Sequence, residues 1–126
     1  MITLGNSAIA TIRCQVTTIT ALSDRRDKKD IVSLESGLRL VEELNPVSFV
    51  WNMRSGHKIG VREIGFIAQE LQEAQVKSGL TVPNLVYDDN PEKLEASPAT
   101  LIPVLVRAVQ ELSQKIKQLE AKTQGA

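Results

Sequence analysis

Aromatic side chains are scarce in this sequence. Phe49, Trp51, Phe66 and Tyr87 are the whole set among 126 residues, so any core must be mostly aliphatic. Cysteine is scarcer still: Cys14 stands alone, which excludes an intramolecular disulfide and a cysteine-rich metal site. His57 is the only histidine. Its neighbours Gly56 and Lys58 place it in a polar loop, where a solvated imidazole is a simpler reading than a general base. Net charge is missing too, because 15 basic side chains balance 15 acidic ones. That balance argues against a protein that coats nucleic acid. No apolar run approaches the ~18–20 residues that cross a bilayer, and no secretory leader is legible. We therefore expect no nucleic acid, membrane, cofactor or metal as partner. What is present is an ordinary apolar fraction on a chain about the size of one domain.

The first 22 residues look β-like but thin. Ile2-Thr3-Leu4-Gly5-Asn6 reads as a short strand entering a turn, since Gly-Asn suits positive φ. Ile12, Cys14 and Val16 then alternate with Arg13 and Gln15, and Thr11, Thr17, Thr18 and Thr20 add β-branched residues. The alternation slips at Thr17-Thr18. Such a piece is too short to carry its own core. It must add to another sheet or wrap around copies of itself, unless it is an edge hairpin of the same domain. The chain thus reads as the end of something longer.

A charged break follows, with seven consecutive ionisable residues from Asp24 to Asp30. A solvated turn is the bland explanation. Ser23 and Lys28 offer a sharper one, because they set a hydroxyl and an amine five residues apart. A serine hydroxyl is a useful nucleophile only when a base takes its proton. Lysine serves as that base when neutral, a state favoured by burial or by neighbouring cations. Arg25, Arg26 and Lys29 push in that direction; Asp24 and Asp27 push against it.

Beyond the break the pattern is mixed. Ile31, Leu34, Leu38, Val41 and Leu44 recur at helical spacing and predict a helix over 33–44, weakened by Gly37 and ended by Asn45-Pro46. Val47, Phe49 and Trp51 share one face of a strand, and residues 52–60 form a hairpin loop before a return strand over 58–64. Ile67, Leu71 and Ala74 form the stripe of a second helix that Gly79 closes. Glu70 and Glu73 on that helix read as a wet face rather than as paired acids. Leu85-Val86-Tyr87 is a short strand. Asp88-Asp89-Asn90-Pro91 is a turn without the ligand spacing of a calcium loop.

The last segment predicts a long helix. Pro103 belongs in its first turn, with Thr100 as N-cap. Ile102, Leu105, Val109, Leu112, Ile116 and Leu119 are spaced three, four, three, four, three, an unbroken heptad seam flanked by Lys115 and Glu120. The alternative is a helix packed on its own domain. Ile or Val at a with Leu at d favours two strands in isolated peptides.

Four blocks carry a resemblance. Ser-Asp-Arg-Arg-Asp-Lys-Lys-Asp-Ile from Ser23 resembles the opening of the C-terminal intramolecular chaperone domain of phage tail spikes and fibres, the endosialidase-type self-cleaving domain. Ser23, Asp24, Arg26 and Lys28 match its Ser-Asp-x-Arg-x-Lys pattern position by position. The likeness continues through Leu44–Trp51, Ile64–Glu70 and Ala108–Leu112. It implies autocleavage of the Leu22–Ser23 bond, with Ser23 as nucleophile, Lys28 as general base, and Asp24 and Arg26 orienting the turn. It implies a homotrimer, so three strands in the coiled coil. It also implies action on the upstream β-stalk of the same polypeptide, in the host cytoplasm during virion assembly. The stalk would then reside in the virion tail and the chaperone part would be released.

The expected fold is α+β: a β-rich stalk end over 1–22, a chaperone and autoprotease body over 23–100, and a coiled-coil helix with a polar tail over 101–126. Three rivals compete with this assignment. One is a permanent trimerisation cap that is never cut. Another is a serine–lysine hydrolase acting on other substrates. The third is a plain coiled-coil adaptor.

Overall fold

The computed structural model describes residues 1–6 and 8–125; residue 7 of the expected stalk segment and residue 126 of the expected tail fall outside these. The chain divides into two compact units. One comprises residues 1–32 and 48–63, the other residues 33–47 and 64–126.

The second unit holds the core. Helix α1 (Leu38–Glu43), helix α2 (Ala68–Ser78) and the long helix α3 (Ile102–Gln124) pack together. Leu40, Leu71, Ala74, Leu85, Leu101 and Val104 are buried at their junction. Val41, Leu44, Phe66, Leu80, Val82 and Val86 pack around them. The core is thus almost wholly aliphatic, as the shortage of aromatics requires. Helix α2 ends where expected, with Gly79 in the left-handed region at φ 71°, where its amide donates back to the Gln75 and Val76 carbonyls.

Helix α1 differs from the expected 33–44. It begins only at Leu38, and Ile31 and Leu34 lie outside it, 54% and 47% exposed. The reason is Gly37, which abuts α3. A Cβ on Gly37 would run into the Val104 carbonyl oxygen and lie 3.0 Å from the Ala108 amide nitrogen. Glycine here is a contact residue rather than a weak spot inside a helix. Gly37 offers no side-chain cap, and a carboxylate from α3 replaces it. Glu111 Oε1 accepts the Gly37 amide at 2.6 Å and the Leu38 amide at 3.2 Å, and Oε2 accepts the Ser36 hydroxyl at 3.0 Å.

The expected short strand is β3 (Val86–Tyr87), which pairs antiparallel with a second short strand, β4 (Glu95–Ala96). Pro103 lies in the first turn of α3, as its missing amide demands. Thr100 is not the N-cap. A 3-10 turn over Pro98–Leu101 precedes the helix, Leu101 caps it, and the Thr100 hydroxyl donates to the Ser97 carbonyl instead.

Strands β1 (Val47–Asn52) and β2 (Ile59–Gly65), most of whose residues belong to the first unit, form a two-stranded hairpin. Val47, Phe49 and Trp51 are the more covered face of β1, with Ser48, Val50 and Asn52 exposed. Phe49 meets Trp51 edge-on at 5.3 Å, and Lys58 Nζ stands 4.6 Å from the Trp51 ring centre while pairing with Glu63 at 3.0 Å. The strands expected within residues 2–22 are not formed among the described residues. The Gly5-Asn6 turn is present, with Gly5 at φ 84° and the Ile9 amide donating to the Asn6 carbonyl. Ile2, Leu4, Ile12, Val16, Ile19 and Leu22 are each at least 69% exposed. A strand is stabilised by its ladder and by cross-strand side chains, and this segment meets neither here.

Candidate functional site

A single tight turn brings Ser23 and Lys28 together. Five residues of extended chain would separate them by about 17 Å. In an α-helix, positions five apart lie on different faces. Here Asp24 has extended backbone, φ −70° and ψ 136°, and caps a 3-10 turn over Arg25–Asp27. Its Oδ1 accepts the Arg26 amide at 2.8 Å. The Asp27 and Lys28 amides donate to the Asp24 and Arg25 carbonyls, each at 3.1 Å. The chain then reverses far enough for Lys28 Nζ to donate to Ser23 Oγ at 2.7 Å.

Arg26 locks the cap. Its Nε donates to Asp24 Oδ1 at 3.1 Å and its Nη2 to Oδ2 at 2.8 Å, a two-pronged pairing. That guanidinium, and then the Arg26 amide, hold the Asp24 carboxyl below its ordinary value, and the carboxylate raises Arg26 in turn. The pair is exposed, so its energy is small; its effect is to hold the turn's geometry. Asp24 and Arg26 thus pair within the turn, and Ser23 and Lys28 are in contact.

In this contact the amine donates. An ammonium that donates to Oγ cannot also take the hydroxyl proton, so base catalysis requires Lys28 to give up a proton first. Both side chains are exposed, as is Leu22 at 79%. His57 is exposed and lies in the hairpin loop. Among the described residues no group of three or more His, Cys, Asp or Glu side chains is placed to hold a metal. Among the described residues no helix is long and apolar enough to cross a membrane.

The heptad residues form a second feature. Ile102, Leu105, Val109, Leu112, Ile116 and Leu119 are 44–64% exposed. The body is packed by a different stripe, with Val104 at 6% and Ala108 at 2% exposed, continued by Leu101 and by Glu111. Helix α3 thus has one face spent on the core and an apolar face left over. Glu111 was the residue missed by sequence reasoning. It reads as a polar heptad position, and only the approach of Gly37 shows what it bonds.

Comparison with known families falls on the same place. The model of a peptidase-type family described as chaperone of endosialidase matches residues 23–87, which is 65 of the 126 residues, and the chain belongs to that family. The match opens on Ser23 itself and closes at Tyr87, ahead of the Ala108–Leu112 block and the seam. No curated protein sequence matches the chain.

Proposed function

We propose that the chain is a C-terminal intramolecular chaperone that trimerises, registers the β-rich stalk of a phage tail fibre or spike ending at Leu22, and then releases itself at Leu22–Ser23. The observation that carries this reading is the 2.7 Å contact between Lys28 Nζ and Ser23 Oγ, at the residue where the family match begins. The apolar face left over on α3 supports assembly, since six aliphatic side chains in a heptad row are uncovered in the single chain. The bare residues 1–22 support a stalk that waits for neighbouring copies. Strands wound between chains have no local contacts with which to start, so a C-terminal clamp raises their effective concentration.

The chemistry balances without any added reagent but water. Neutral Lys28 takes the Ser23 hydroxyl proton while Oγ attacks the Leu22 carbonyl carbon. The Leu22–Ser23 C–N bond breaks, its electron pair stays on the Ser23 nitrogen, and that nitrogen collects the proton. Water then hydrolyses the ester, giving the Leu22 carboxylate and restoring the hydroxyl. Assembly enters because Ser23 and Lys28 are both exposed in the single chain, and neighbouring copies would cover them. Residues 1–22 would stay behind as a kinetically trapped stalk.

A permanent, uncut trimerisation cap is the rival, and the exposure of both dyad side chains favours it. Intact mass with light scattering on the purified chain separates the two. The expected result is a trimer with a break before Ser23, and one uncut species for Ser23→Ala. Lys28→Ala should also stop the cut, whereas Lys29→Ala should not. Ordinary cutting of Ser23→Ala sinks the mechanism.

A further inference from the structure

Glu111 is bonded in a way that neither the family match nor the heptad pattern accounts for. Its carboxylate collects two backbone amides and one hydroxyl from three consecutive residues, Ser36, Gly37 and Leu38. These residues are distant in sequence, by 73 to 75 positions. They are also the point at which the chain coming from the Ser23–Lys28 turn enters the helical body. Gly37 is buried flush against α3, so the carboxylate and the missing Cβ act on the same spot. Upstream of it, residues 31–35 are exposed and belong to no helix or strand. Downstream, α1 is a helix of only six residues without a side-chain cap of its own. Glu111 sits one residue before Leu112 in the exposed apolar row, so the helix that would carry the assembly also carries the anchor.

We propose that Glu111 is a positioning residue: its carboxylate latches residues 36–38 onto the assembly helix, and thereby fixes where the segment leading to the cleavage turn leaves the body. This rests on the reading that the Leu22–Ser23 bond is cut, for the part of it that concerns cutting. The latch itself does not depend on that reading. Covering the seam of α3 would, on this account, stiffen the helix that holds the segment's downstream end. The upstream dyad would then act from a fixed tether rather than a loose one.

The test compares Glu111→Ala, Glu111→Gln and Ser36→Ala with the parent, each as the complete chain. Residue-resolved amide exchange is the first readout and does not involve cutting. A bond to a charged acceptor is strong, so Glu111→Ala should speed exchange at Gly37 and Leu38 by about ten- to a hundredfold. The amides of α2, which do not meet Glu111, should keep their protection. Glu111→Gln retains one carbonyl acceptor and should restore most of the protection. Ser36→Ala, which frees only Oε2, should have the least effect. The second readout is the rate of cutting at matched oligomeric state, expected to fall at least tenfold for Glu111→Ala and to recover for Glu111→Gln.

Unchanged exchange at Gly37 and Leu38 in Glu111→Ala overturns the latch. So does faster exchange spread evenly over the core, which is mere loss of stability. Should Glu111→Ala not fold, Glu111→Leu, which keeps the side chain's bulk and removes both oxygens, decides: at least tenfold faster exchange confined to Gly37 and Leu38 supports the latch, and none refutes it. A latch seen in exchange beside full-rate cutting in Glu111→Ala overturns the positioning role. A parent that is never cut refutes the cleavage reading and leaves exchange to judge the latch.

Discussion

Replacing Leu105 and Leu112 together by Gln should separate assembly from folding. Both lie in the uncovered row of α3, 44% and 45% exposed, and neither is among the buried core residues. Gln has nearly the helix propensity of Leu, so the helix itself should be little affected. Full burial of a Leu is worth ~1.5–3 kcal/mol, and with about half of each side chain already covered, assembly gains about 1 kcal/mol per site. Two sites in three chains give a loss of about 6 kcal/mol for the trimer, before any cost of burying the amides. At 1.4 kcal/mol per decade that is about four decades in the assembly constant, which scales with concentration squared. The midpoint of assembly should therefore rise by about two decades in protein concentration. Light scattering across a dilution series reads that shift, while circular dichroism reads helix content. Cutting at a fixed concentration should slow in parallel. A variant that assembles at the parent's midpoint would refute the seam, as would a parent that is monomeric throughout. A variant that loses its helices would show that this face belongs to the fold.

Two further predictions concern the body. Gly37→Ala forces a methyl into the Val104 carbonyl and should cost about 1–3 kcal/mol in a urea titration; a neutral result would refute the close approach of Gly37 to α3. The Glu111 carboxyl is held below its ordinary value of 4.5, first by the Gly37 amide, with the Leu38 amide, the Ser36 hydroxyl and Lys115 adding to it. A depressed pKa contributes stability that is complete above the ordinary value and is lost as pH falls through the lowered one. Urea midpoints should therefore fall below about pH 4.5, and the Glu111→Gln variant should show a shallower acid limb there; parallel acid limbs would contradict the assignment.

Much of this architecture could be read from local pattern. Alternation placed Val47, Phe49 and Trp51 on one side of β1, Gly79 closed α2, and Pro103 fixed the start of α3, because each reflects a constraint acting within a few residues. What stayed hidden depends on distant partners. The late start of α1 follows from the contact of Gly37 with Val104 and Ala108, and helical spacing from Ile31 onward gave no sign of it. Thr100 had the chemistry of a cap, but the 3-10 turn from Pro98 used its hydroxyl otherwise. Glu95–Ala96 lacks any strand pattern and pairs because Val86 and Tyr87 are within reach. Ser23 and Lys28 were visible as a motif of residue types, although only the capped turn explains how positions five apart touch. Glu111 resembled an ordinary wet heptad position.

The two stripes of α3 are locked in phase. Each residue advances the helix by about 100°, so one residue inserted between Ala108 and Val109 would leave Leu101, Val104 and Ala108 in place but swing Glu111 and every later seam residue by that angle. The aliphatic core would keep its α3 contacts, yet the Glu111 bonds to Gly37 and Leu38 would be lost and the four seam residues beyond the insertion would point away from any partner aligned on Ile102 and Leu105. Swapping the helix for a generic zipper meets the same obstacle, since the replacement must reproduce the spacing that joins the two stripes as well as the heptads.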